Sequence, residues 1–113
     1  MSFLEHLGHI RLYENDWDYS SGMDMEVEKG KVYVIWRDHV IHKPDMWCRE
    51  VRKIDLELLL KSLNVTEDSF IQEMQSRFAF YDGIDKLCAF LDEHGVEYNY
   101  TEYDRSWPPK KAD

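Results

Sequence analysis

The chain reads MDMEVEKGKVYVIWRD from Met23 to Asp38, and this stretch decides the fold because it predicts a β-hairpin with a defined register. Lys29-Gly30 supplies a two-residue turn in which the glycine takes a positive φ at no steric cost. Closing the chain there places Met23 opposite Trp36 and Glu28 opposite Lys31. Since side chains alternate between the two faces of a strand, a slip of one residue would bury the acids.

The two faces of this hairpin differ in chemistry. The apolar face consists of Met23, Met25, Val27, Val32, Val34 and Trp36. The other face carries Asp24, Glu26, Glu28, Lys31, Tyr33 and Ile35. We expect helices to cover the apolar face and leave the other face, together with Arg11 and Tyr13, open to solvent or to a partner. Because Tyr33 and Ile35 prefer to be covered, this acidic face indicates a protein partner.

The flanking segments predict an α+β domain. Apolar and polar residues alternate in residues 9–14, which predicts a first strand. The same alternation in residues 96–103 predicts a last strand. Between the hairpin and the last strand, apolar spacing of i, i+3, i+4 predicts three helices, which are Asp55–Asn64, Thr66–Phe78 and Asp82–His94. Residues 46–53 fit neither period, and we expect a connection or a short strand there. The order β-β-β-α-α-α-β predicts an antiparallel sheet of about four strands with the three helices packed on one face.

The length of 113 residues predicts a single domain. We place this domain at residues 1–107 and expect the basic tail at residues 108–113 to fray. No apolar run approaches the roughly 18 residues of a membrane span, and no secretory signal is visible at the N-terminus. Two cysteines, Cys48 and Cys88, have no motif spacing and are expected to be reduced thiols. These features together predict a cytoplasmic protein.

The net charge of −9, from 14 basic and 23 acidic residues, restricts the class of partner. Direct binding to nucleic acid is disfavoured, because neutralising phosphates needs a basic footprint. An acidic surface speeds encounter with a basic protein instead. The alternative interpretation is that the acidity serves only solubility.

One cluster of metal-ligand residue types is present, and it is a weak candidate. His39 and His42 are three residues apart, and Cys48 follows six residues later. Zinc sites need three or four converging ligands, and the two histidines would point to opposite faces of a strand. No local signature marks a nucleophile with its base, and no phosphate-binding loop is present. We therefore predict no metal, no cofactor and no enzyme activity.

A loop predicted at residues 15–22 carries the candidate partner-binding residues. Asp16, Trp17, Asp18 and Tyr19 combine carboxylates with large aromatic contact area, and we extend this group with Asp24, Glu26 and Tyr33 of the hairpin. Trp17 could equally fold back over an edge of the core. A second acidic group on the predicted last helix and strand is the other candidate surface, although it is interpreted more readily as solvated. It comprises Asp85, Asp92, Glu93, Glu97 and Glu102, together with Tyr103.

The function that the sequence favours is inhibition by binding. An immunity or antitoxin protein that occludes the active site of a basic, nuclease-type toxin must be small, acidic and aromatic at its contact face. A phage or mobile-element inhibitor of a host nucleic-acid enzyme would meet the same description. An adaptor subunit of a larger assembly is a further alternative, and a small intracellular enzyme using His39 or His42 is the least favoured.

Overall fold

The computed structural model describes residues 3–16, 19–40, 45–80 and 82–106. Within them the order of elements is α1 (Phe3–His6), β1 (His9–Asp16), β2 (Tyr19–Glu28), β3 (Lys31–Val40), β4 (Asp45–Asp55), α2 (Leu56–Leu63), α3 (Glu67–Phe78), α4 (Gly83–Glu93) and β5 (Asn99–Ser106). The strands form one antiparallel sheet in the order β1-β2-β3-β4-β5. The predicted α+β class is confirmed, with five strands instead of four.

The hairpin formed by β2 and β3 has the predicted register. Met23 pairs with Trp36, Glu26 with Tyr33 and Glu28 with Lys31. Lys29 and Gly30 form the turn with φ values of 50° and 75°, the conformation of a turn that matches the twist of the flanking strands. The hairpin therefore places its apolar and acidic sets on opposite faces of the sheet.

The apolar face of the hairpin builds the core together with the helices. Met23 is fully buried, and the Trp36 side chain is only 2% exposed. From the helices, Leu59, Phe70 and Leu87 reach the same cluster. Burying a large apolar side chain contributes roughly 1.5–3 kcal/mol, so this layer between sheet and helices dominates the stability of the fold.

Strand β4 corrects the prediction for residues 46–53. These residues lie inside an eleven-residue strand that pairs with β3 on one side and β5 on the other. Val51 and Ile54 are both fully buried although they are three positions apart. The register with β3 shifts between Val32 and Val34, and Lys53 has a φ of 60°. This bulge inserts an extra residue and breaks the period of two that reveals a strand.

A second bulge corrects the predicted position of Tyr13. The register between β1 and β2 shifts between Arg11 and Tyr13, so Tyr13 pairs with Met23, a residue of the core. Its ring stacks on Trp36, with 5.5 Å between ring centroids and 26° between planes. The prediction that Tyr13 lies on the open side of the sheet is therefore wrong.

The predicted loop at residues 15–22 is also wrong for most of its length. Asn15 pairs with Ser21, and Asp16 pairs with Ser20, so β1 extends to Asp16 and β2 begins at Tyr19. Trp17 and Asp18 lie outside the described residues, as do residues 107–113 with the predicted tail. The segment was predicted as a loop because polar residues dominate it, whereas paired strands satisfy its backbone groups.

The boundaries of α2, α3 and α4 lie within one residue of the predicted ones. Asp55 accepts a hydrogen bond from the backbone N–H of Leu58 at 3.0 Å, and Asn64 ends α2 with a φ of 59°. After α4, the N–H of Val96 donates to the carbonyl of Leu91 at 2.9 Å, so Val96 packs into the core and β5 begins later than predicted. None of the helices described is both long and apolar enough to cross a membrane.

Candidate binding face

The helices cover one face of the sheet, and no described helix packs on the other. We call this second surface the open face. Its side chains from β1 to β4 include His9, Arg11, Asp24, Glu26, Glu28, Lys31, Tyr33, Ile35, Arg37, Glu50 and Arg52. Most of them line a depression of about 540 Å³. The open face is therefore a concave surface that carries both acidic and basic side chains.

A buried carboxylate lies at the centre of the open face. The Asp24 side chain is 1% exposed, and the Nε of Arg11 donates a hydrogen bond to its Oδ1. The Nη1 of Arg37 donates to its Oδ2 at 2.5 Å. Because a buried charge is tolerated only when it is paired, the two guanidinium groups are the reason this carboxylate can lie in the sheet. The hydrogen bond to Asp24 is also the largest cause that raises the pKa of Arg11.

His9 extends this cluster along the edge of the sheet. Its Nε2 lies 3.1 Å from Oδ2 of Asp24, and its Nδ1 lies 3.2 Å from Oε1 of Glu26. Arg11 in turn reaches Oε1 of Glu14 at 3.1 Å. The cluster therefore links β1, β2 and β3 through side chains and is close to electrically neutral.

The remaining charges of the open face are less engaged. Glu50 accepts a hydrogen bond from the hydroxyl of Thr101 at 3.3 Å, and Glu26 contacts His9 through one oxygen. Glu28 and Arg52 are exposed and have no ion pair or side-chain hydrogen bond with any other described residue. Between these groups, Tyr33 and Ile35 are half-buried and line the depression.

The structure brings together only some of the predicted partner-binding residues. Asp24, Glu26 and Tyr33 share the open face. Asp16 and Tyr19 lie in the backbone pairing at the opposite end of the hairpin, roughly 23 Å from Glu26 at the rise of a β-strand. Trp17 and Asp18 lie outside the described residues. Contact of these residues with a partner stays a prediction.

Glu50 and Arg52 were missed because β4 was not recognised as a strand. Cys48, Glu50 and Arg52 alternate with residues of the helix-covered face, and this period of two was the available signal. Pairing of Glu50 with Ile35 brings β4 beside the hairpin and adds its charges to the open face.

The weak metal candidates are not assembled into a described site. The backbone of His39 pairs with Met46, and Cys48 is buried opposite Arg37. His42 lies outside the described residues. Among the residues that the structure describes, no group of three or more His, Cys, Asp or Glu side chains could hold a metal ion.

A second polar cluster lies on the helix-covered side and joins α4 to the sheet. The Nη2 of Arg49 lies 2.5 Å from Oδ1 of Asp85, and its Nε donates to the hydroxyl of Tyr100 at 2.7 Å. The guanidinium also lies 5.5 Å from the ring centroid of Trp47. Arg49 lowers the pKa of Asp85 by hydrogen bonding. Asp85 of the second acidic group is thus engaged within the fold.

The environment of Tyr98 predicts how the free energy of unfolding changes at alkaline pH. Burial, and next the hydrogen bond that its hydroxyl donates to Asp92 at 2.9 Å, raise the pKa of Tyr98. An unfolded tyrosine ionises near pH 10, so the unfolded state loses this proton first and stability falls as pH rises through about 10. We expect Tyr98→Phe to lose less stability between pH 9 and 11 in urea titrations. Equal losses in both proteins would contradict this assignment.

Comparison of the chain with models of protein families, with curated proteins and with solved structures finds no match. Its function must therefore be inferred from its own residues. The open face combines an accessible depression, half-buried side chains and charges that have no ion-pair partner among the described residues, so it is the candidate functional site.

Proposed function

We propose that this protein is a small inhibitor that binds a basic protein through the open face. In its most specific form, it is a cytosolic immunity or antitoxin protein that occludes the active site of a nuclease-type toxin. The observation that carries the proposal is the depression in the open face, where the carboxylates of Glu26, Glu28 and Glu50 are not fully paired with other described residues.

Tyr33 and Ile35 support a protein partner. Antiparallel sheets often present one face to water, and the residues on that face are normally polar. Here a tyrosine and an isoleucine occupy adjacent positions of the same face along β3 and are half-buried. Tyrosine is enriched at protein interfaces, where it provides a large contact area with a polar tip. Both side chains would lose further solvent contact in a complex.

Charge supports a basic partner. The chain carries a net charge of −9, which accelerates the approach of a positively charged protein. Since the two arginines around Asp24 neutralise that carboxylate, the negative charges available for a partner are chiefly those of Glu26, Glu28 and Glu50. An inhibitor from a phage or mobile element would use the same physics, whereas an adaptor would need a more apolar surface.

Co-purification tests the proposed function. The tagged protein should recover a basic enzyme from its native cell in low salt. Part of this enzyme should be lost at about 0.5 M salt, where the Debye length falls to about 4 Å. The purified chain should then inhibit the recovered enzyme at equimolar concentration. A recovered partner that is neutral, that ignores salt or that keeps its activity when bound would contradict the proposal.

Charge reversal tests whether the open face is responsible. We expect the Glu28→Lys and Glu50→Lys double variant to bind the recovered enzyme at least about tenfold more weakly, because each lysine opposes a basic partner. The matched control is Glu57→Lys with Glu93→Lys, which changes the charge equally on exposed helical positions. Equal weakening by the control pair would show that net charge, and not the open face, determines binding.

A further inference from the structure

The two halves of the open face differ in how far their charges are paired within the protein. Around Asp24, both carboxylate oxygens are occupied by Arg11 and Arg37, so this half offers a partner little free charge. At the hairpin end, Glu26 and Glu28 lie on one side of Tyr33, and the cation opposite Glu28, Lys31, pairs with Asp55 at 3.6 Å. A partner group that pairs with Glu26 and Glu28 must therefore place its positive charge at the hairpin end.

We infer that the hairpin end of the open face receives an arginine side chain on a protruding segment of the basic partner. This inference rests on the proposed function and specifies which chemical group the surface selects. The occupant is a guanidinium group that lies on the Tyr33 ring and pairs with Glu26 and Glu28.

The register of the hairpin supplies the geometry. Glu26 and Tyr33 are directly paired across β2 and β3. Glu28 follows two residues later on the same face, roughly 6–7 Å along the strand. In the described part of the chain, no ring or cation packs on Tyr33. A single side chain of the partner can therefore contact the ring of Tyr33 and both carboxylates.

Arginine fits this arrangement better than lysine does. Its guanidinium is planar, donates two parallel hydrogen bonds to a carboxylate and stacks on aromatic rings, whereas the lysine ammonium is a compact, strongly hydrated charge. The depression of about 540 Å³ lies within the range of clefts that hold a ligand, roughly 300–1,000 Å³. It therefore has room for an arginine side chain and its neighbours on a protruding loop or turn.

Arg52 limits how the occupant can be oriented. It lines the same depression from β4, on the side of Tyr33 opposite to Glu26. Its positive charge disfavours an arginine there, so the guest guanidinium lies on the β2 side. Removing this charge should strengthen binding of a purely cationic guest.

The test uses a nona-arginine peptide and a nona-lysine peptide as probes, titrated into the isotope-labelled protein and followed by NMR. We expect saturable shifts at the backbone amides of Glu26, Glu28 and Tyr33, with arginine binding about fivefold tighter than lysine. Tyr33→Leu should abolish this preference. Arg52→Ala should tighten nona-arginine binding about threefold, because it removes a nearby like charge. The control Glu57→Lys should keep the preference and the same shift pattern.

Three outcomes would overturn the inference. They are equal affinity for the two peptides, a preference that survives in Tyr33→Leu, and shifts that map to α4 and β5. The proposed function fails separately, when no basic enzyme is recovered or inhibited. A partner that binds the open face through lysines would retain the proposed function and overturn the arginine inference.

Discussion

Replacing Gly83 by alanine is expected to destabilise the fold by about 3 kcal/mol or more, because overpacking here cannot be relieved by a side chain alone. A Cβ at this position would overlap the carbonyl oxygen of Phe78 and lie 2.7 Å from Cε of Met23. That carbonyl already accepts the N–H of Phe80 at 2.8 Å, so moving it would disturb the turn between α3 and α4. Urea denaturation followed by circular dichroism measures the change.

The matched control for this substitution is Gly95→Ala. A Cβ there meets nothing within 4 Å, but Gly95 has a φ of +67°. The expected cost is therefore only the left-handed backbone penalty of about 1–2 kcal/mol. If Gly83→Ala costs no more than Gly95→Ala, the close packing of α4 on the end of α3 is not a constraint on the fold.

Replacing Asp24 by asparagine is expected to destabilise the protein by about 3 kcal/mol, because removing one partner of a buried ion pair leaves charges without compensation. Arg11 and Arg37 would then face each other across β2, and the new amide group would present N–H donors to them. The measurement is the free energy of unfolding in urea at neutral pH and low salt.

Glu28→Gln is the matched control for the Asp24 variant. It removes the same charge from the same strand and face, but Glu28 is exposed. We expect its stability to change by less than about 0.5 kcal/mol, as is usual for surface substitutions. Similar small effects of both variants would mean that the cluster around Asp24 contributes no net stability.

The hairpin and the helices could be predicted from sequence because their signals are local. The Lys29-Gly30 turn determines the register between β2 and β3, and this register is observed. Asp55 and Asn64 bound α2 through capping, which depends on neighbouring residues alone. Neighbouring residues therefore suffice to predict a helix or a strand wherever its apolar residues keep a single spacing along the whole segment.

The bulges explain what sequence could not provide. At Lys53, one extra residue places both Val51 and Ile54 in the core, so the period of two that runs along β4 as far as Arg52 is interrupted there. At the bulge in β1, the same effect turns Tyr13 onto Trp36. A bulge is determined by pairing with a partner strand, and this pairing is not encoded in the alternation of the strand itself.

The candidate site was predictable in part. Glu26 and Tyr33 were placed on a common face because the hairpin register is local. The burial of Asp24 was not predictable, since it depends on Arg11 and Arg37 arriving from two different strands. Glu50 and Arg52 depend on β4 and were missed with it.

Hydroxyl-radical footprinting of the complex with the co-purified partner tests the central claim, that the open face is the binding surface. Tyr33 lies on the open face, whereas Tyr98 lies beside α4 and donates to Asp92. We predict that the partner lowers the oxidation rate of Tyr33 severalfold and leaves that of Tyr98 unchanged. Protection of Tyr98 with no change at Tyr33 would show that the partner binds elsewhere, and would contradict the claim.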